Sequence, residues 1–312
     1  MSFKVKRFIK QKIEEIREEA GDRKSLVATS GGVDSMTCAL LAHKALGERV
    51  VILFIDDGLM RQDDEIRARE ALKSFGIKLK TFNAQREFFK ALKNKVDPEQ
   101  KRKSFRRVFY QTLGKAIRQN SADSLIQGTI AADIIETKGG IKTQHNILKQ
   151  IGIDPKKEFG FKVIEPLREI FKYQVRKVAK GLGFPPRVYQ QMPFPGPGLA
   201  TRIVGEVTPY KVKILRRATT IVEEGLRQFK PFQAFAVLLN DKATGIKNKK
   251  RSYGNIIVIR SVESRDAMTA EVSRVPWGVL EKIRDRIITE IPEVIKVLFD
   301  ITPKPPSTIE YI

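Results

Sequence analysis

The nine residues ATSGGVDSM, 28–36, follow the run SLVAT (25–29) and lead into a helix-like stretch from Ser35 to Leu46 that stops at Gly47. Adjacent glycines let successive backbone N–H groups turn inward and approach an anion without interference from a Cβ. A helix starting near Asp34 or Ser35 adds its positive end at the same spot, and the Ser30 and Ser35 hydroxyls can donate as well. A loop of this kind where a strand meets a helix predicts phosphate binding. The same residues would also make an ordinary turn capped by serine and aspartate. The loop departs from the Walker pattern in spacing and carries no lysine, so a cation has to come from elsewhere in the chain.

Working outward, VVILFIDD (50–57), IKLKTF (77–82) and DSLIQGT (123–129) read as further strands. Helices are predicted over 63–75, closed by Gly76, and over 169–183, while the charged start of the chain reads as an amphipathic helix. Alternating strands and helices imply an α/β fold with a doubly wound, mainly parallel sheet. Such sheets bind ligands beyond the carboxyl ends of their strands, where Ser30, Asp56 and Gly128 would lie. The stretch 184–200 carries prolines at 185, 186, 193, 195 and 197, which regular structure does not survive. It separates a first domain, 1–187, from a second, 188–312. The second mixes helices (211–228, 277–290) with strands (233–239, 255–262, 294–301), a smaller α+β module.

Composition narrows the function. The 59 Lys+Arg against 36 Asp+Glu leave a formal charge of +23, which calls for anionic partners such as nucleic acid, phosphorylated small molecules or an acidic protein. The single cysteine, Cys38, excludes an internal disulfide framework and cysteine-cluster metal sites, and fits a reducing cytosol. It reads as a small buried residue rather than a nucleophile. Two histidines, His43 and His145, make no His-rich metal site. No run is apolar enough to span a membrane. The expectation is a soluble cytoplasmic protein.

The SGGVDS loop resembles that of the N-type ATP pyrophosphatases, which hold the β,γ-pyrophosphate of ATP during attack at the α-phosphate. FIDDGLMR (54–61), QGTIAADIIE (127–136), IKTQHN (141–146), EPLREIFKYQVRKVAKGLG (165–183), FPGPGLATRIVGEV (194–207) and KPPSTIEYI (304–312) are similar to segments of GMP synthetases, in order along essentially the whole chain. The resemblance implies the ATP pyrophosphatase portion of that family, with an adenine nucleotide alpha hydrolase-like sheet and a C-terminal dimerisation domain. Its reaction is adenylation of XMP at O2 with release of pyrophosphate, then amination by ammonia to GMP and AMP.

On that resemblance, ATP binds at Ser30, Gly31, Gly32, Val33, Asp34, Ser35 and Met36, at Ile55, Asp56 and Leu59, and at Gly128 and Thr129. Leu59 would stack on the adenine. Mg²⁺ is expected on Asp133 and Glu136, which share one face if that segment is helical; otherwise they are a solvated helix start. Asp34, Lys142 and His145 are the expected catalytic residues, and Mg²⁺ on Asp133 and Glu136, with Lys142 from a lid, is the expected replacement for the missing cation. Arg102, Gln233, Arg251, Lys304, Ile309 and Glu310 would bind XMP. The chain departs from the common family pattern at Ala131 and Ala132, at Gln144, and at Lys249, where an aspartate is usual. The loop at residue 30 leaves no room ahead of it for a glutaminase domain, which implies a separate glutaminase subunit of the archaeal type, and a homodimer. The alternative is a tRNA-modifying PP-loop ligase. One cysteine cannot make the sulfur-carrying pair that thiolating enzymes use, and a ligase of the other kind leaves FPGPGL and the tail unexplained. A nucleotide sensor without turnover is a third reading.

Overall fold

The computed structural model describes residues 3–138, 160–247, 249–265 and 267–312, with side chains left aside at 136–138. Two compact units emerge. The first comprises Met1–Asp56, Asp63–Ala84 and Arg106–Gln191, and the second Asp57–Gln62, Gln85–Phe105 and Met192–Ile312. Two internal segments of the first half therefore pack with the second unit.

The first unit is built on a five-stranded sheet of order β3-β2-β1-β4-β5, comprising β1 (Ser25–Thr29), β2 (Val50–Asp56), β3 (Lys80–Asn83), β4 (Ser124–Ile126) and β5 (Lys162–Ile164). Every neighbouring pair is parallel. The chain winds outward from β1 through β2 to β3 and then returns to place β4 on the other side of β1. This reversal opens a crevice at the carboxyl ends of β1 and β4, the usual ligand position in such sheets. The central helix α2 (Val33–Leu46) is buried at Val33, from Met36 through Ala42, and at Ala45 and Leu46, with Lys44 exposed, so its apolar surface is far wider than a single amphipathic stripe. The amphipathic helix α1 (Val5–Ala20) turns Ile16 and Ala20 inward.

Several boundaries differ from the sequence expectation for local reasons. The helix predicted over 169–183 runs Lys172–Gly181, and the Gln174 side chain accepts from the Phe171 N–H at its start. The strand expected over 123–129 ends at Ile126, because residues 127–130 leave the ladder for the crevice. The 77–82 strand is only Lys80–Asn83, with Leu79 buried ahead of it.

The second unit carries a sheet in which β7 (Lys250–Glu263) pairs antiparallel with β6 (Gln233–Lys247) and β8 (Glu271–Val272), and parallel with β9 (Val294–Asp300). Helices Pro209–Leu226 and Trp277–Glu290 accompany it. The first starts two residues ahead of the expected 211 because Thr208 accepts from the Lys211 N–H and Pro209 sits at the first helical position. Strand β6 continues eight residues past the expected 239, through a register shift between Leu238 and Lys242. Exposed Asn240, Asp241 and Lys242 hide that continuation from an apolar-pattern reading. At the hairpin tip Lys249 adopts φ 61° and is exposed, so it serves the turn there.

Candidate functional site

In the first unit the carboxyl end of β1 delivers the chain to the start of α2. The loop closes on itself first: the Gly31 N–H donates to Thr29 Oγ1 at 3.1 Å, the Ser30 N–H to Ser35 Oγ at 3.2 Å, and the Ser35 hydroxyl to the Gly32 carbonyl at 3.1 Å. Gly32 occupies the N-cap, and no side chain caps the helix. The first N–H groups of a helix have no intrahelical partner, so this fourteen-residue helix presents donors and its positive end to an anion. Ser30 is exposed at the mouth, while Val33 and Met36 are buried and anchor the turn in the core.

Gly128 explains how β4 joins this site. A Cβ there would lie 3.0 Å from the Asp34 carbonyl carbon and the Ser35 nitrogen, so only glycine lets the post-β4 segment run against the α2 start. Thr129 next to it is fully buried, and its hydroxyl donates to Glu165 at 2.6 Å. The Thr129 side chain therefore holds the segment in place and is not available to a ligand. Cys38 is buried behind the loop, with its thiol 3.6 Å from the Gln127 carbonyl. Burial, reinforced by the Asp34 and Glu165 carboxylates, pushes that thiol well above its ordinary range, which suits packing and not nucleophilic attack.

A cation that the sequence reading did not single out sits at the α2 start. Lys172 Nζ donates to Asp34 Oδ2 at 2.5 Å. Lys172 is the first residue of its helix, where a positive charge opposes the helix dipole. That misplacement is the sequence signal that could have found it. The other oxygen, Asp34 Oδ1, is buried with no hydrogen-bond partner. An orphaned carboxylate oxygen beside a row of helix N–H groups is a fitting ligand for a hard divalent cation.

Of the expected metal pair, Asp133 lies in the helix Ala131–Lys138, where its Oδ2 accepts from the Ile130 N–H at 3.0 Å and so caps the helix start. The Glu136 side chain, Lys142 and His145 lie outside the described residues. No cluster of three or more metal-ligating side chains occurs among the described residues. At the end of β2, Ile55 is buried and the Asp56 carbonyl accepts from Ala84 N–H at 2.9 Å.

The second unit takes up the chain at Asp57. Asp57 Oδ1 accepts from the Leu59 N–H at 2.7 Å, which closes a turn around Gly58. The adenine-stacking expectation for Leu59 is corrected: its side chain is fully buried, and its carbonyl accepts from Leu199 N–H at 2.8 Å. Gly198 makes that approach possible. It has φ 58°, and a Cβ would fall 2.5 Å from the Leu59 oxygen.

The tail from Lys304 onward is pinned, not frayed. Lys304 forms an antiparallel bridge with Ala270, and its Nζ donates to the Ala267 carbonyl at 2.8 Å. Arg260, fully buried in β7, donates to Asp300 at 2.6 Å and to the carbonyls of Thr302, Thr308 and Ile309. An arginine in the middle of an apolar strand was the available signal for this clamp. Ile309 packs with Val262 and Ala270. Glu310 accepts from Gln233 Nε2 at 2.6 Å and from both forks of buried Arg202.

Gln233, Ile309 and Glu310 thus come together. Arg102, on the helix Pro98–Gln119, forms an exposed i,i+3 pair with Glu99 at 2.6 Å. Arg251 is not with them: it pairs in register with Ile246 near the hairpin tip, whereas Gln233 pairs with Val262. From position 251 to position 262 is eleven strand residues, roughly 36 Å at about 3.3 Å each.

The comparisons with known proteins cover both units. Residues 5–185 match the family profile described as a PP-loop domain, and residues 220–311 match the GMP synthase C terminal domain. The chain belongs to the GMP synthase family. It is 50% identical to a protein of Methanopyrus kandleri named as one subunit of a glutamine-hydrolyzing GMP synthase, over 99% of both chains. The subunit of the same name from Pyrococcus horikoshii is 49% identical over 98% of each chain, and that of Methanocaldococcus jannaschii 44% over 99% of each. GMP synthases account for both halves of the chain, and neither match supports the tRNA-modifying alternative. No described helix is long and apolar enough to cross a membrane.

Proposed function

We propose that the chain is the nucleotide-activating subunit of a two-subunit, cytoplasmic GMP synthase. Its first unit holds ATP, and its second holds XMP. The XMP O2 attacks the α-phosphate, the bond to the β-phosphate breaks, and pyrophosphate leaves. Ammonia then adds at C2 of the adenylated base, loses one proton to solvent and expels AMP, giving GMP with its 2-amino group.

The observation that carries the reading is the uncapped start of α2, with Lys172 at one Asp34 oxygen and the other oxygen orphaned. Pyrophosphate departure builds negative charge, which preorganised donors stabilise without a covalent intermediate. In this reading the N–H groups from Gly32 to Ser35 bind the leaving phosphates, Ser30 and the Ile55–Asp56 strand end face the rest of ATP, and Gly128 closes the site wall. Asp34 Oδ1 and Asp133, with Glu136 and Lys142 of the segment beyond, would hold Mg²⁺ and the outer phosphates. The ion supplies charge neutralisation on the leaving group. His145 is proposed to close over the triphosphate.

For XMP, the proposed contacts are Gln233, Ile309 and Glu310 at the base, with Lys304 and Arg102 at the phosphate. Arg251 lies too far along β7 to join them from the same chain, so we assign it to the site of a second copy in a homodimer. Exposed Ile246 and Tyr253 near the hairpin tip, 80% and 68% accessible, support such a contact. Ammonia is proposed to come from a separate glutaminase. That the relatives are named as single subunits of a glutamine-hydrolyzing enzyme supports this arrangement.

The test is direct. ATP, Mg²⁺, XMP and ammonium with the purified chain should yield GMP, AMP and pyrophosphate in equal amounts. Absence of XMP-dependent pyrophosphate release from folded protein refutes the activity. Glutamine should replace ammonium only after addition of the matching glutaminase. A light-scattering mass of one chain at micromolar concentration counts against the dimer.

A further inference from the structure

The proline-rich block and the tail meet at one side chain of the second unit. Arg202 is 1% exposed, with its guanidinium 5.0 Å from the Phe194 ring centroid and 4.0 Å from that of Phe235. Its Nε donates to Glu310 Oε2 and its Nη2 to Glu310 Oε1, both at 3.0 Å. Gln233 Nε2 donates to that same Oε1 at 2.6 Å and to the Pro193 carbonyl at 3.1 Å. Arg202 Nη1 is buried with no hydrogen-bond partner.

Stability alone does not ask for an arginine here. An apolar side chain of similar volume between two phenyl rings is often as stable as a buried ion pair, and the orphaned Nη1 adds a desolvation cost. What the arginine supplies is geometry. Its planar fork holds a carboxylate in one plane, where an ammonium would hold only a point. An ionised carboxylate has about four acceptor positions. Arg202 and Gln233 fill two on Oε1, and Arg202 fills one on Oε2. One position on Oε2 remains, and the Glu310 side chain keeps 24% of its surface open.

We infer that Arg202 is the positioning residue that makes Glu310 a single-acceptor reader of a purine edge, admitting bases with a ring N–H and refusing those that present a lone pair there. The inference deepens the XMP reading of the tail and rests on it. Xanthine carries ring N–H donors beside its 2-oxo group. Adenine presents an unprotonated N1, whose lone pair would face the Glu310 lone pair. The proposed reaction consumes ATP and releases AMP, so a reader of this kind keeps both adenine nucleotides out of the XMP subsite. Sites built to hydrogen-bond a substrate N–H discriminate strongly because the wrong partner leaves buried polar groups unpaired.

Equilibrium binding of XMP and of AMP to the full chain, with KM for XMP and ATP alongside, tests this in wild type, Arg202→Met, Arg202→Lys and Glu310→Gln. Wild type should prefer XMP by about 100-fold or more. Arg202→Met should cut that preference at least about tenfold and raise the XMP KM, leaving the ATP KM within about twofold. Arg202→Lys, which keeps the charge and loses the fork, should fall in between, and it carries the test if the methionine variant does not fold. Glu310→Gln can turn an amide N–H toward adenine and should narrow the preference furthest. Folded Arg202 variants whose preference stays within about threefold of wild type overturn the inference, as does a parallel rise of both KM values. A wild-type chain that binds no XMP refutes the proposed function instead.

Discussion

Replacing Lys172 with alanine separates a structural ion pair from a chemical one. The Lys172–Asp34 pair is short, 2.5 Å, but the lysine side chain is 41% exposed and the aspartate 22%. Solvent screens a pair this open, so its loss should cost at most about 1 kcal/mol of stability, which shifts the melting temperature of a unit this size by roughly 2–4 °C. If Lys172 supplies positive charge at the departing pyrophosphate, the kinetic loss is far larger. Removing one preorganised donor from a developing oxyanion costs about 100- to 1,000-fold in kcat, near 3–4 kcal/mol. The assay is XMP-dependent pyrophosphate release at saturating ammonium with ATP varied, beside a thermal melt. The expected result is a melt within a few degrees of wild type, a kcat lowered about 100-fold or more, and a smaller change in ATP KM. Lys172→Arg should recover part of kcat. The parallel Lys142→Ala variant should slow adenylation more than it weakens XMP binding, and it shows how the charge is divided. A Lys172→Ala enzyme within about threefold of wild-type kcat, with Lys142→Ala inactive, would refute the reasoning.

Four further outcomes are expected. Gly198→Ala should destabilise the second unit by about 3 kcal/mol or more, because it combines a left-handed backbone with a Cβ 2.5 Å from the Leu59 oxygen; an unchanged urea midpoint would show that the turn relaxes. Gly128→Val should abolish ATP-dependent turnover while leaving XMP binding intact, since its neighbours are the backbone of Asp34 and Ser35; full activity would remove Gly128 from the site wall. Mixing inactive Arg251→Ala and Gly128→Val chains should restore about a quarter of wild-type activity, because half the dimers are mixed and one of their two sites is intact; no recovery after exchange of chains would put Arg251 in the same chain's site. Lys101 is buried against the Ile203 carbonyl, and burial, with the Lys211 and Arg102 charges, lowers its pKa to about 8. Its folded pKa lies below the unfolded one, so the unfolded chain binds more protons between these values and stability rises with pH there. Between pH 7.5 and 9.5 wild type should gain about 2 kcal/mol relative to Lys101→Met, read as diverging urea midpoints; parallel pH profiles would contradict the shift.

Much of the first unit was legible because its signals are local. A β-branched run, two glycines and a helix start within twelve residues identify the phosphate loop, and strict alternation of strands with helices implies a parallel sheet. Boundaries slipped where side chains rather than patterns decide them, as at Thr208, which caps its helix, and at Asn240–Lys242, where β6 leaves the core. The Leu59 expectation failed because a strand-end position does not say which way the following turn points. Leu59 turns into the core of the second unit, against Gly198.

Local sequence carries the chemistry on offer: a phosphate-loop motif, a carboxylate within it, a charge that needs anions, and a proline-rich block that interrupts regular structure. Each depends on residues a few positions apart, whose relative geometry the backbone imposes. The partners of these residues are set by the packing. Lys172 reaches Asp34 across 138 residues and Arg202 reaches Glu310 across 108, and one strand carries Arg251 away from the residues it was expected to join. Residues 85–105 likewise pack with the second unit despite lying in the first half of the chain. Such pairings are set by how sheets and helices stack, and sequence spacing carries no record of that distance. The phosphate loop could be read from its own residues, but its cation had to be found in space.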